Sequence, residues 1–197
     1  MHKIIIIPGL GDESIHLRLI TRHWKKLGLD AVVYPVGWFD EEKQFTPKLN
    51  RLLNLVDGFV KDGYAVSLIG NSAGGSAVLN IFAARKDIIH RVINICGRVR
   101  TGTTKGFRSF ENRTSKSPAF AQSIKMAEEA EKAFTEGDRV KIMTIHPIFD
   151  ELVPDDTLTI SGATNIKIPM IVHSVSIILA LTVFSKPLIA FLTGKTL

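Results

Sequence analysis

The sequence has a single cysteine, Cys96, in 197 residues. That excludes an intramolecular disulfide framework and any zinc site built from several cysteines, and it suits a reducing compartment. A clean apolar run of the roughly 20 residues needed to span a bilayer is also missing. The opening MHKIIIIPGLG is stopped at once by Pro8 and Gly9, too short for the apolar region of a secretory signal. The most apolar stretch, 171–192, is interrupted by His173, Ser174, Ser176, Ser185, Lys186 and Pro187. A buried pair of helices is expected there, with weak membrane-surface contact as the alternative, no integral span, and a cytoplasmic location. A Walker-type Gly-Lys-Ser/Thr loop and a G-x-G-x-x-G fingerprint are absent, and so are RNP-like, zinc-finger and helix-turn-helix patterns. The formal net charge of +6 therefore carries no expectation of a nucleic-acid partner, since the basic residues are scattered apart from one loop. Internal repeats and low-complexity tracts are lacking too.

What is present is an ordinary globular composition, 45% hydrophobic and 22% charged, enough for one domain over 1–197 with a substantial core. Short Val/Ile-rich runs alternate with helical spacing. Strands are predicted at 3–7 (KIIII), 30–35 (DAVVYP), 64–69 (YAVSLI), 92–96 (VINIC), 140–145 (VKIMTI) and 166–172 (IKIPMIV). Between the first of these lie helical patterns. Ile15, Leu19, Ile20, Trp24 and Leu27 trace one, closed by Gly28, and Leu49, Leu52, Leu53, Val56 and Val60 trace another, ended by Gly63. A third follows at 73–85. Continuous apolar strands separated by helices predict an α/β fold: a three-layer sandwich around a mostly parallel sheet of about six strands. In such sheets ligands bind at the carboxyl ends of the strands, so the residues just after each strand matter most.

The segment 98–139 breaks the alternation and is too long for a simple connection, so a lid or cap insertion is expected there. Arg98, Arg100, Lys105, Arg108, Arg113 and Lys116 face Glu111 alone in its first part. Such a segment would attract anionic substrates, or stay a solvated, mobile loop. Phe107, Phe110 and Phe120 are candidates either to line an acyl pocket or to anchor the lid.

The most informative run is YAVSLIGNSAGGSAVL. Gly70-Asn71-Ser72-Ala73-Gly74 matches G-x-S-x-G between an apolar strand and an Ala/Leu-rich helix, the context this motif needs. A serine on so tight a turn projects its hydroxyl out of the sheet, and flanking glycines keep Cβ atoms out of the neighbouring strand and helix. The alternative is a glycine-rich turn in which Ser72 caps the helix.

The segment resembles the nucleophile elbow of the α/β-hydrolase superfamily, whose members place an acid and then a histidine after the serine in chain order. The resemblance spans residues 3 to about 194 and implies a small, single-domain, esterase- or lipase-like serine hydrolase. The run HPIFDELVPDDT is similar to the family's acid loop, which makes Asp150 the acid, with Asp155 and Asp156 as rivals nearer the next helix. His173 is the one histidine of six that follows Asp150, which makes it the base. The oxyanion donors implied are the backbone amides of Ala73 and Leu10. The latter lies in Pro8-Gly9-Leu10-Gly11-Asp12, similar to the family's His-Gly-x-Gly turn with Pro8 in place of His. Gly9, Gly11, Gly70 and Gly74 are the motif glycines. The implied chemistry is attack on a carbonyl of a small-molecule acyl substrate, through an acyl-enzyme, with no cofactor and no metal. An ester is the first expectation. A thioester, an amide, acyl transfer to another acceptor, or a non-catalytic binding role on the same fold are the alternatives.

Overall fold

Six β-branched runs form the strands: β1 (His2–Ile7), β2 (Leu29–Val33), β3 (Ala65–Asn71), β4 (Ile89–Ile95), β5 (Ile142–Pro147) and β6 (Thr164–Ile168). They hydrogen-bond in the order β2-β1-β3-β4-β5-β6, and every pairing is parallel. The computed structural model describes residues 2–194, so residue 1 and residues 195–197 of the single domain expected over 1–197 lie outside it.

Continuous apolar strands are explained by burial on both faces. Ile5 and Ile7 point into one core with Trp38, Phe45, Leu52, Val78, Phe82 and Ile124. Ile4 and Ile6 point into the other with Trp24, Ile93, Ile145, Leu181 and Leu188. Successive side chains leave a strand on opposite faces, so a central strand between two helix layers favours apolar residues at nearly every position. All four isoleucines are completely buried.

The helices are α1 (Ile15–Thr21), α2 (Phe45–Lys61), α3 (Gly74–Ala84), α4 (Phe110–Thr114), α5 (Pro118–Glu131), α6 (Glu136–Arg139), α7 (His173–Leu181) and α8 (Ser185–Thr193). The helix expected over 15–27 tightens after Thr21 into a 3-10 segment, Arg22–Leu27, which Gly28 closes at φ 80°. The last strand is shorter than expected. It stops at Ile168, because Pro169 has no N–H to give to a ladder. Within 98–139, α5 packs its Ala119, Phe120, Ser123, Ile124 and Ala127 inward, and its Ser123 hydroxyl meets that of Ser76 on α3 at 2.8 Å. The more irregular part of the segment, with α4 and a short 3-10 turn at Gly106–Arg108, precedes it.

Among the described residues no single helix is long and apolar enough to cross a membrane. α7 and α8 would reach that length only together, and they bend by 53° between them. Ala180, Leu181, Leu188 and Leu192 bury their inner faces against the sheet.

Candidate active site

The carboxyl edge of the sheet gathers an unusual set of backbones. Asp12, Ser72 and Cys96 are the non-glycine residues with positive φ among those described, at 48°, 52° and 54°. Each follows the end of β1, β3 or β4, and such conformations cost about 1–3 kcal/mol apiece. Ser72 is held in its turn by its N–H donating to Ile95 O (2.9 Å) and by its carbonyl accepting from Gly75 N–H (2.9 Å). The motif glycines make room for the turn. A Cβ on Gly70 would lie 2.3 Å from Gly74 O, and one on Gly74 would lie 2.2 Å from Ile7 O. Gly9 approaches Ser72 closely, its virtual Cβ 3.1 Å from the serine Cβ, whereas Gly11 has open space around it.

The side chains singled out from the sequence meet here. His173 is the first residue of α7, five positions beyond the end of β6, and only 3% exposed. Its Nε2 lies 2.9 Å from Ser72 Oγ and its Nδ1 2.7 Å from Asp150 Oδ2. Asp150 is fully buried, and its other oxygen, Oδ1, accepts from the backbone N–H groups of Leu152 and Val153, each at 2.9 Å. Burial alone would push the Asp150 carboxyl up, but the bond from His173, its charge and the two amides bring it below the ordinary carboxylate range. Asp155 and Asp156 lie apart, exposed in the 3-10 turn Asp155–Thr157. The backbone amides of Leu10 and Ala73 make no hydrogen bond among the described residues.

Sequence reasoning missed four supports of this site. Glu151 caps α7, its carboxylate accepting from His173 N–H at 2.8 and 3.1 Å. An acid beside an acid loop was the only signal for it. Asp12 ties the loop after β1 to the loop after β2, accepting from the N–H groups of Val36, Gly37 and Trp38 at 2.8–3.0 Å. Asn94 clamps Gly97 through both of its amide groups, and a Cβ on Gly97 would lie 2.5 Å from Ser72 O. Apart from the short Asn94–Gly97 clamp, those contacts join distant segments, and no local pattern marks them.

Cys96, Asp150 and His173 also place donor atoms within 4.8 Å of one another. The donor chemistry fits a metal poorly. Burial, with the Asp150 and Glu151 carboxylates nearby, pushes the Cys96 thiol well up, whereas a metal binds the thiolate. Both nitrogens of His173 are already taken.

Two spaces border the site. One, of about 30 Å³, is lined by Leu10, Ser72, Phe120 and Val153 together with Arg98 and Arg113. Of the phenylalanines noted in the sequence, Phe120 thus faces the serine, while Phe107 is 66% exposed and Phe110 packs on the core. The other is an apolar groove of about 490 Å³ between α1 and α7, reaching Gly9, Asn71 and Ser174. Asn71 is 2% exposed, and its Oδ1 and Nδ2 have no partner among the described residues. Desolvating such an amide costs about 1–3 kcal/mol, and Leu is close to it in size. Asn71→Leu is therefore expected to raise stability by about 1 kcal/mol or more, read as a higher urea midpoint. A lowered midpoint would mean that the amide is satisfied by water in solution.

The chain is similar in structure to several solved proteins. It superimposes on a monoacylglycerol lipase from Paleococcus ferrophilus with TM-score 0.67 and 14% identity, covering 98% of this chain and 95% of that one. Est1E from Butyrivibrio proteoclasticus gives TM-score 0.66, 18% identity and coverage of 98% and 87%. A meta-cleavage product hydrolase from Pseudomonas fluorescens gives TM-score 0.67, 14% identity and coverage of 98% and 91%. The chain has the α/β-hydrolase fold. No family model and no curated protein matches it by sequence. Among the described residues all six strands are parallel, with no antiparallel strand.

Proposed function

We propose that the protein is a serine hydrolase that cleaves a carboxylic ester of a small or lipid-like substrate through an acyl-enzyme intermediate. The observation that carries this is His173, one ring bonded at once to Ser72 Oγ (2.9 Å) and to a buried carboxylate (2.7 Å). In that arrangement Ser72 Oγ attacks the carbonyl carbon while His173 Nε2 takes its proton. Asp150 keeps the proton on Nδ1 and stabilises the imidazolium as it forms. The N–H groups of Leu10 and Ala73 receive the oxyanion, and the positive end of α3 adds to their effect. The C–O bond to the leaving group breaks as Nε2 returns the proton to the departing oxygen. Water then attacks the acyl-enzyme, giving its proton to the same Nε2, and the carboxylic acid leaves with Ser72 restored.

The apolar groove supports the lipid-like option, and the lipolytic names among the structural neighbours point the same way. A cytoplasmic location is part of this reading, in keeping with a lone, buried thiol.

The test is labelling with a fluorophosphonate probe, which reacts with activated serines. Wild type is expected to label and Ser72→Ala to give no label. An intact, folded wild-type protein that fails to react would overturn the reading. Labelling with inactivity on a chain-length series of nitrophenyl esters would move the substrate to a thioester or amide.

A further inference from the structure

Ser72 shares its small pocket with two guanidinium groups. Arg98 is 2% exposed, yet it forms no ion pair among the described residues. It donates instead to the main-chain oxygens of Thr101 (2.7 Å) and Arg108, and so holds the segment 101–108 in place. Buried cations are normally paired, because removing a charge from water costs several kcal/mol unless an opposite charge meets it. Burial accordingly brings the Arg98 guanidinium below its ordinary range, and Arg113 and Arg108 push the same way against the pull of Asp156 and Glu111.

Arg113 is half-buried and also uncommitted. Its side chain makes no hydrogen bond or ion pair among the described residues, and its guanidinium lies 5.1 Å from the centre of the Phe107 ring. The other arginines of the segment are engaged. Arg100 pairs with Glu131 at 2.6 Å, and Arg108 donates to Val153 O at 2.8 Å with Asp155 at 3.8 Å. Arg113 and Leu10 also form the wall between the Ser72 pocket and a groove of about 310 Å³ that carries Phe39, Phe107 and Lys116. Positive charge thus lines the path from the serine outward, and among the described residues no carboxylate forms an ion pair with Arg98 or Arg113.

We propose that this pocket is an anion subsite, and that the ester attacked by Ser72 carries a carboxylate bound by Arg113, with the buried charge of Arg98 behind it. The proposal rests on the acyl-transfer reading above and names its substrate class. A planar, forked guanidinium matches a carboxylate in two hydrogen bonds, and Arg113 and Ser72 line the same small pocket, so the link between that carboxylate and the reacting carbonyl must be short. The substrates that follow are half-esters of short dicarboxylic acids.

The experiment compares monoethyl succinate, glutarate and adipate with the neutral ethyl butyrate and ethyl hexanoate in a pH-stat. Wild type is expected to favour at least one half-ester tenfold or more in kcat/KM. Arg113→Gln is expected to bring that ratio near one, mainly through KM. Lys61→Gln, which removes the same charge from the exposed far end of α2, is expected to leave the ratio as it was. A wild-type ratio of one or less, or an Arg113→Gln variant that loses both ester classes equally, overturns the subsite while leaving Ser72 hydrolysis standing. A binding readout separates the other failure. Glutarate at fixed ionic strength is expected to raise the Tm of wild type and of Ser72→Ala, and not that of Arg113→Gln. Glutarate binding without ester turnover or probe labelling sinks the hydrolase reading alone. No turnover together with no glutarate effect sinks both.

Discussion

Replacing Asp150 with Asn is expected to lower kcat about ten-thousand-fold, the scale seen when a triad carboxylate is made neutral without loss of shape. The expectation follows from how Asp150 is held. Leu152 and Val153 both donate to Oδ1, so in the variant the amide must present its oxygen to them and its NH2 to His173. His173 Nδ1 must then accept, which moves the ring proton to Nε2. The ring now donates to Ser72 Oγ across the 2.9 Å contact and has no lone pair to take the serine proton. The loss should fall in kcat, with KM changed little, and fluorophosphonate labelling should slow in step with it. Activity within tenfold of wild type would remove Asp150 from the acid role. Glu151 would inherit the question, because its carboxylate already touches the backbone N–H of His173.

Much of this architecture is legible in the amino-acid order, for physical reasons that also mark where legibility stops. Burial on both faces writes itself as runs rich in Ile, Val and Leu, which is why β1, with four isoleucines in a row, stands out and β3 and β4 follow. A tight strand-to-helix turn demands glycines at fixed offsets, so Gly70 and Gly74 bracket Ser72 visibly. Strand context marks Ser72, the resemblance to the α/β-hydrolase elbow and acid loop marks Asp150 and His173, and His173 lies within hydrogen-bond distance of both others. β6 ends earlier than its hydropathy implies because Ile171 and Val172 continue the apolar run past Pro169. Ile171 is 63% exposed, so its hydropathy reports neither a strand nor the core.

The supports of the site are less legible because what they hold together lies far apart in the chain. Asp12 reads as a turn residue, which its φ of 48° makes it. Nothing local says that its carboxylate binds three amides some 25 residues away. Asn94 reads as a polar lapse inside an apolar strand. It is buried to 1% because its amide fixes Gly97 against the Ser72 turn. Arg98 and Arg113 read as members of a basic loop, and only burial and the lack of a counter-ion separate them from Arg100 and Arg108. In each case composition shows the charge or amide, and packing decides what it is for.

The same interplay makes Gly74→Ala a sharp test of the fold. Gly74 opens α3, and its φ lies outside the left-handed region. Helix propensity alone therefore predicts that alanine stabilises the protein by up to about 1 kcal/mol. Packing predicts the opposite. The new Cβ would sit 2.2 Å from Ile7 O, 2.8 Å from Ile7 C and 2.9 Å from Pro8 O, all main-chain atoms at the end of the central strand β1. No rotamer relieves such a contact, so α3 and β1 must part by about an ångström in a region where interiors pack as densely as crystals. Strain of that kind costs about 3 kcal/mol or more and outweighs the propensity gain. The variant is expected to show a much lower urea midpoint or to be recovered insoluble. Any folded fraction should lose activity as well, because the shift reaches the Pro8–Leu10 turn and the Leu10 amide. Gly11→Ala is the matched control: no atom lies within 4 Å of its Cβ, and its midpoint should stay near wild type. A Gly74→Ala midpoint at or above wild type would mean that α3 slides on the sheet freely, and the oxyanion site would then need a different anchor from the one these contacts provide.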